Sequence, residues 1–154
     1  MTNFQLATLL NECIGNPKNP ENWETAEQQY ELINEEVAEL ACAIAEQDIT
    51  ELRDAIGDVL VTVYGLAYRM GIDADSDYYE IHRSNMSKLL TSEEEAFDEE
   101  SRLHQQGVSA TIFKSKHNLY AIRSAKDQTN AITQSYLPKN KLLKPSTYCP
   151  PKLD

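Results

Sequence analysis

The stretch A-I-G-D-V-L-V-T-V-Y-G-L-A-Y-R-M, residues 55–70, decides how this chain folds. It is almost wholly apolar or small, and its only charges are Asp58 near the start and Arg69 near the end. Read as part of a helix from about Thr50 to Met70, it places Ile56, Val59, Leu60, Val63, Leu66, Ala67 and Met70 on one broad arc. An arc that wide is expected of a helix buried on more than one side, central to a bundle or a dimer. Asp58 sits at its edge with Asp54 one turn earlier, so both carboxylates project from one side. An ionised carboxylate buried without a partner costs several kcal/mol, about 3 or more. Asp58 therefore has to lie at an edge, take up a proton, or face a cation.

Upstream, a helix is expected from about Trp23 to Gln47, with the stripe Ile33, Val37, Leu40, Ala41 and Ile44. It carries N-E-E-V-A-E, in which Glu36 and Glu39 are three apart and share a face beside Glu35. Residues 21–50 contain no Lys, Arg or His. Like charges at helical-neighbour spacing repel, so this cluster needs something to offset it. The short connection at Asp48 implies antiparallel packing of the two helices, which lets Glu36, Glu39, Asp54 and Asp58 converge. Oxygen-only donors suit a hard cation, Mg2+ or Mn2+, rather than zinc. The bland alternative, an acidic surface with Asp58 as an edge residue, suffices for any single glutamate but leaves Asp58 unexplained.

The remaining elements follow from caps and breakers. A first helix runs from Asn3 to Ile14 and is stopped by Gly15 and Pro17. A fourth opens at Asp73–Asp77 and is expected to continue to about Leu90. Ser92 and Glu95 have capping-box spacing and start a fifth, ending near Gly107. Ala110–Ala125 reads as a β-hairpin turning at Lys116-His117-Asn118. Residues 126–154 read as an extended tail on the domain or on a partner subunit. The expected organisation is mainly α: an antiparallel helical bundle over 1–107, then a hairpin and tail over 108–154. Trp23 reads as a buried aromatic, and Tyr64 and Tyr68 as core or interface packing.

Bulk properties bound the function. The formal charge of −11, from 25 acidic and 14 basic residues, argues against a nucleic-acid polymer as ligand. No apolar run approaches the ~20 residues of a membrane-spanning helix, and the N-terminus lacks a signal peptide's basic start. The expected location is the cytoplasm, with no membrane partner. Three scattered cysteines without a C-x-x-C read as free thiols.

Glu35-Glu36-Val37-Ala38-Glu39 and Gly57-Asp58-Val59-Leu60 together resemble the all-α nucleoside triphosphate pyrophosphohydrolases. That superfamily includes MazG-like, dimeric dUTPase-like and phosphoribosyl-ATP pyrophosphohydrolase-like proteins. Its pattern is E-E-x-x-E on one helix and E-x-x-D on the next. The first half matches in full. In the second, Ala55 stands where the glutamate is expected, and Asp54, one position earlier, is the candidate substitute; a literal E-x-x-D also exists at Glu51–Asp54. The sequence H-R-S-N-M-S-K, residues 82–88, is similar to the family's nucleotide-contacting Asn followed by basic residues.

The resemblance implies a MazG-like bundle and Mg2+-dependent cleavage of a (d)NTP to the monophosphate and pyrophosphate. Glu36, Glu39, Asp54 and Asp58 are then the metal ligands and Glu35 orients or deprotonates the water. Asn85, Lys88 and Arg83 are then the substrate-binding residues. It further implies a homodimer or homotetramer. Two other readings stand beside it: the same chemistry on phosphoribosyl-ATP, and a nucleotide-binding or helical interaction module without turnover, which Ala55 favours.

Overall fold

The computed structural model describes residues 1–153. These fold as two compact units, residues 1–78 and a second beginning at Tyr79, which divide within a helix. The composition changes at about 107, some thirty residues later, so the compositional boundary is not where packing divides.

In the first unit, α1 (Asn3–Cys13), α2 (Trp23–Glu46) and α3 (Ile49–Arg69) precede the start of α4 (Ala74–Met86). Each start has its chemical cause. Thr2 and Gln5 form a capping box, the Asn22 side chain accepts from the Glu24 N–H, and Asp48 accepts from the N–H groups of Thr50 and Glu51. Gln47 ends α2 in the left-handed region at φ 58°, which reverses the chain within two residues. The result is the expected antiparallel α2–α3 pair.

The seams that α1 and α2 make with α3 are lined by small or polar residues. Ala7, Asn11, Thr25, Gln29, Ala43, Ala55 and Gly65 are buried. The large apolar residues are not: Ile56, Leu60 and Val63 of the α3 arc are exposed, as are Leu6, Leu9 and Leu10 of α1. Trp23, expected to be buried, is 72% exposed, because it occupies the first turn of α2 beyond the seam. No single helix among the described residues is long and apolar enough to cross a membrane.

The second unit has an ordinary core. The strands β1 (Leu89–Leu90), β2 (Ala110–Lys114) and β3 (Tyr120–Ser124) form an antiparallel sheet in the order β1-β3-β2. Against it packs α5 (Glu93–Gln105), started by the expected Ser92/Glu95 capping box. Leu90, Ala96, Leu103, Val108, Tyr120 and Ile122 form the core with Leu137 and Leu143 from the tail. The hairpin lies where the sequence places it, with Asn118 at φ 56° in the turn.

One boundary differs. Helix α4 stops at Met86 rather than Leu90, and Leu89–Leu90 pair with Ala121 and Tyr120. The apolar pair gains more from the sheet than from another helical turn, since Leu90 is buried there. The tail lies on this unit. It forms a short β4 (Gln128–Thr129)–β5 (Tyr136–Leu137) ribbon. It then runs beside β3, where Leu143 donates to the Ile122 carbonyl at 2.8 Å and Leu142 bridges Arg123. Those residues pair the length of β3 edge that the two-residue β1 leaves open.

Candidate active site

The α2–α3 pairing brings the sequence-derived carboxylates into electrostatic reach of one another. Glu36 is half-buried, and its pKa is raised above the ordinary glutamate value. Loss of hydration is the largest cause, followed by the negative charges of Glu39, Asp58, Glu35 and Asp54. Four acids from two helices thus act on a fifth. Asp58 is also half-buried, whereas Glu35, Glu39 and Asp54 are exposed.

Among the described residues the ion pairs are Glu80–Arg83 and Glu99–Arg102, both in the second unit. The α2–α3 carboxylates therefore have no protein cation within 4 Å. Among the described residues, no three His, Cys, Asp or Glu side chains are placed so that together they could hold a metal ion.

Next to this cluster lies an open groove of about 300 Å³ between α2 and α3. Glu39 and Asp54 line it together with Glu46 and Glu51, two acids outside the expected ligand set. The E-x-x-D at Glu51–Asp54 was the signal that pointed to Glu51; Glu46 had none, because its relation to Asp54 exists only across the helix pair. Ala55, where the family pattern has glutamate, is a buried seam residue. Asp54 and Asp58 flank it, one on each side along the helix. The donor set is dominated by carboxylate oxygens and mutually repelling, which fits a hard divalent cation.

The H-R-S-N-M-S-K segment belongs to the second unit. Arg83 donates from Nε and Nη2 to Glu80 at 2.8 and 2.7 Å, and from Nη2 to the Pro150 carbonyl at 3.1 Å. The Lys88 ammonium donates to Asn85 Oδ1 at 2.6 Å, so the Asn85 amide is turned to present its NH2. Sequence reasoning missed the tail residues that gather on this segment, Tyr148 above all. They are more than fifty residues away in the chain and share no local pattern with it.

Residues 5–85 match the family model described as phosphoribosyl-ATP pyrophosphohydrolase. This chain belongs to that family. The match spans just over half the chain and includes Glu35, Glu36, Glu39, Asp54, Asp58, Arg83 and Asn85; Lys88 and the tail lie beyond it. The family supports a pyrophosphohydrolase-type activity, that of a hydrolase acting on pyrophosphate bonds. An uncharacterized protein of Acanthamoeba polyphaga mimivirus is 38% identical over 82 residues, which cover 48% of this chain and 33% of that protein. The chain thus spans about a third of the length of this curated relative.

Proposed function

We propose that the chain hydrolyses a nucleoside triphosphate between the α- and β-phosphates, giving the monophosphate and pyrophosphate. What supports this reading is that Glu39, Asp54 and Asp58, on two antiparallel helices, all raise the Glu36 carboxyl, with no cation ion-paired to them among the described residues. These four would hold Mg2+, or Mn2+. When bound, the ion supplies charge neutralisation at the phosphates and a lowered pKa for water.

The chain's own groups have distinct tasks in this scheme. Glu35, exposed beside Glu36, accepts the proton of the attacking water. Asn85 offers its amide NH2 to the nucleoside. Lys88 and Arg83 offer N–H donors to phosphate oxygens. We place this chemistry in the cytoplasm.

The family match favours a second substrate for the same bond class, phosphoribosyl-ATP. One assay decides both: pyrophosphate release with Mg2+ from a panel of dNTPs, NTPs and phosphoribosyl-ATP. Release from a simple triphosphate is expected. Release from phosphoribosyl-ATP alone selects the second substrate. Tight Mg2+-dependent binding with no release from any of them makes the chain a binding module and ends the catalytic reading.

The first unit also needs a cover. An apolar groove of about 410 Å³ between α1 and α3 is lined by Leu6, Leu10, Leu60, Val61 and Tyr64. Ile56 and Val63 add exposed apolar surface on α3. Helices this apolar, whose fully buried residues are alanine, glycine and polar ones, are stabilised by a second helical layer. We propose that a second copy supplies it, in a homodimer or homotetramer.

A further inference from the structure

We infer that Lys144 and Tyr148, which lie outside the family-matched residues, complete with Lys88 an anion-binding corner for the oligophosphate of the substrate. The inference extends the nucleotide-binding reading of Asn85 and Lys88 and rests on it.

The C-terminal strap is seated on one face of α4. The Lys152 N–H donates to Glu80 Oε1 at 2.8 Å, Arg83 Nη2 donates to the Pro150 carbonyl at 3.1 Å, and the Cys149 N–H donates to Ser87 Oγ at 2.9 Å. Ser84, which is buried, donates its hydroxyl to the Tyr148 phenol oxygen at 3.4 Å. Glu80, Arg83, Ser84 and Ser87 recur at three- and four-residue spacing, so the strap follows a single helical stripe. The contacts are specific hydrogen bonds rather than loose packing, and they fix where Tyr148 stands.

What this seating brings together is charge. The Lys144 ammonium lies 4.5 Å from the Tyr148 ring centre and the Lys88 ammonium 5.7 Å from it, so the two cations are within about 10 Å of each other. Neither has a carboxylate within 4 Å among the described residues. That is notable in a chain with 25 acidic and 14 basic residues, where an unpaired lysine has many acids to choose from. The ring face attracts each cation weakly at an exposed site and leaves their mutual repulsion in place. A multiply charged anion spanning both offsets that repulsion. The Tyr148 phenol reports the same field. Its pKa is lowered by the Ser84 hydrogen bond and, against some loss of hydration, by Lys144 and Lys88. The patch is small and the chain strongly acidic, which suits a short oligophosphate and not a long polyanion.

The test uses the full chain and Lys144→Gln, Lys144→Arg and Tyr148→Phe variants, each with an unchanged circular dichroism spectrum. Inorganic tripolyphosphate is titrated calorimetrically in EDTA, and hydrolysis is followed separately with Mg2+. Lys144→Gln is expected to weaken tripolyphosphate about fivefold and to raise KM by a similar factor with kcat unchanged, the loss of one charge-assisted contact. Lys144→Arg is expected to restore both, and Tyr148→Phe, which keeps the ring but loses the Ser84 hydrogen bond that seats it, to weaken tripolyphosphate by about twofold. Wild-type binding and KM in Lys144→Gln overturn the corner, as does a wild-type chain that binds no tripolyphosphate. If no nucleotide is hydrolysed but tripolyphosphate binding still depends on Lys144, the hydrolase reading falls and the corner stands.

Discussion

The side-chain amide of Gln29 on α2 donates to the backbone carbonyl of Thr62 on α3 at 3.0 Å, with Gly65 of α3 packed beneath it. Gln29 is buried, and a Cβ on Gly65 would stand 3.1 Å from its Nε2. This lock sets the register that puts Glu36 and Glu39 beside Asp54 and Asp58. Gln29→Ala removes a buried hydrogen bond and leaves space at the seam. A loss of about 1–2 kcal/mol is expected, read as a lower urea midpoint. Gly65→Val pushes a branched side chain into the same amide and is expected to cost more.

Asp58→Asn separates catalysis from folding. It removes one of the negative charges that raise Glu36, so the metal-free protein should gain stability slightly, by up to about 0.5 kcal/mol. Mg2+-dependent hydrolysis should fall to background, and so should the rise in melting temperature expected of the wild type on adding Mg2+. Full activity in Asp58→Asn would remove Asp58 from the ligand set. The pH dependence has a definite sign. Because the Glu36 carboxyl is raised, the metal-free fold should lose stability as pH climbs from about 4.5 through the raised value, and added Mg2+ is expected to reverse that loss.

The strap has the opposite sign. Hydrogen bonds from Arg83 and from the Lys152 N–H hold Glu80 down to about 2. Glu99 is buried, which raises it, but hydrogen bonds from Arg102 and Ser146 together bring it below the ordinary value. Depressed carboxylates contribute stability above the unfolded value and lose it as pH falls through the folded one. Amide protection of residues 144–152 should therefore persist at pH 5 and decline below about 4.5 towards 2. Hydrogen exchange at pH 5, 4 and 3 measures it.

Leu143 tests whether the tail is structural. It is buried in the core of the second unit and its N–H completes the β3 edge. Leu143→Ala should destabilise that unit by about 2–4 kcal/mol. A change within about 0.5 kcal/mol would mean that the tail is ornamental to the fold.

Leu60 and Val61 line the α1–α3 groove and are exposed in the single chain. Leu60→Lys should halve the sedimenting mass at micromolar concentration while the wild type stays oligomeric. A wild-type monomer under those conditions would show that the groove has another occupant.

Much was determined by sequence alone, because its causes are local. Capping chemistry at Asp48 and Ser92, helical periodicity in α2 and α3, and the polar turn at Asn118 all act within a few residues. The E-E-x-x-E cluster was legible for the same reason, since its members are helical neighbours. Tertiary structure decided what depends on distant partners. Leu89–Leu90 left the helix because β3, thirty residues on, offers them a paired and buried edge. Glu46 joined the groove because α3 returns antiparallel across it. The strap found Glu80, Arg83 and Ser87 through hydrogen bonds spanning more than sixty residues of chain. Periodicity reports which face of a helix is apolar, but not what covers it: the α3 arc read as buried, and within one chain Ile56, Leu60 and Val63 stand open.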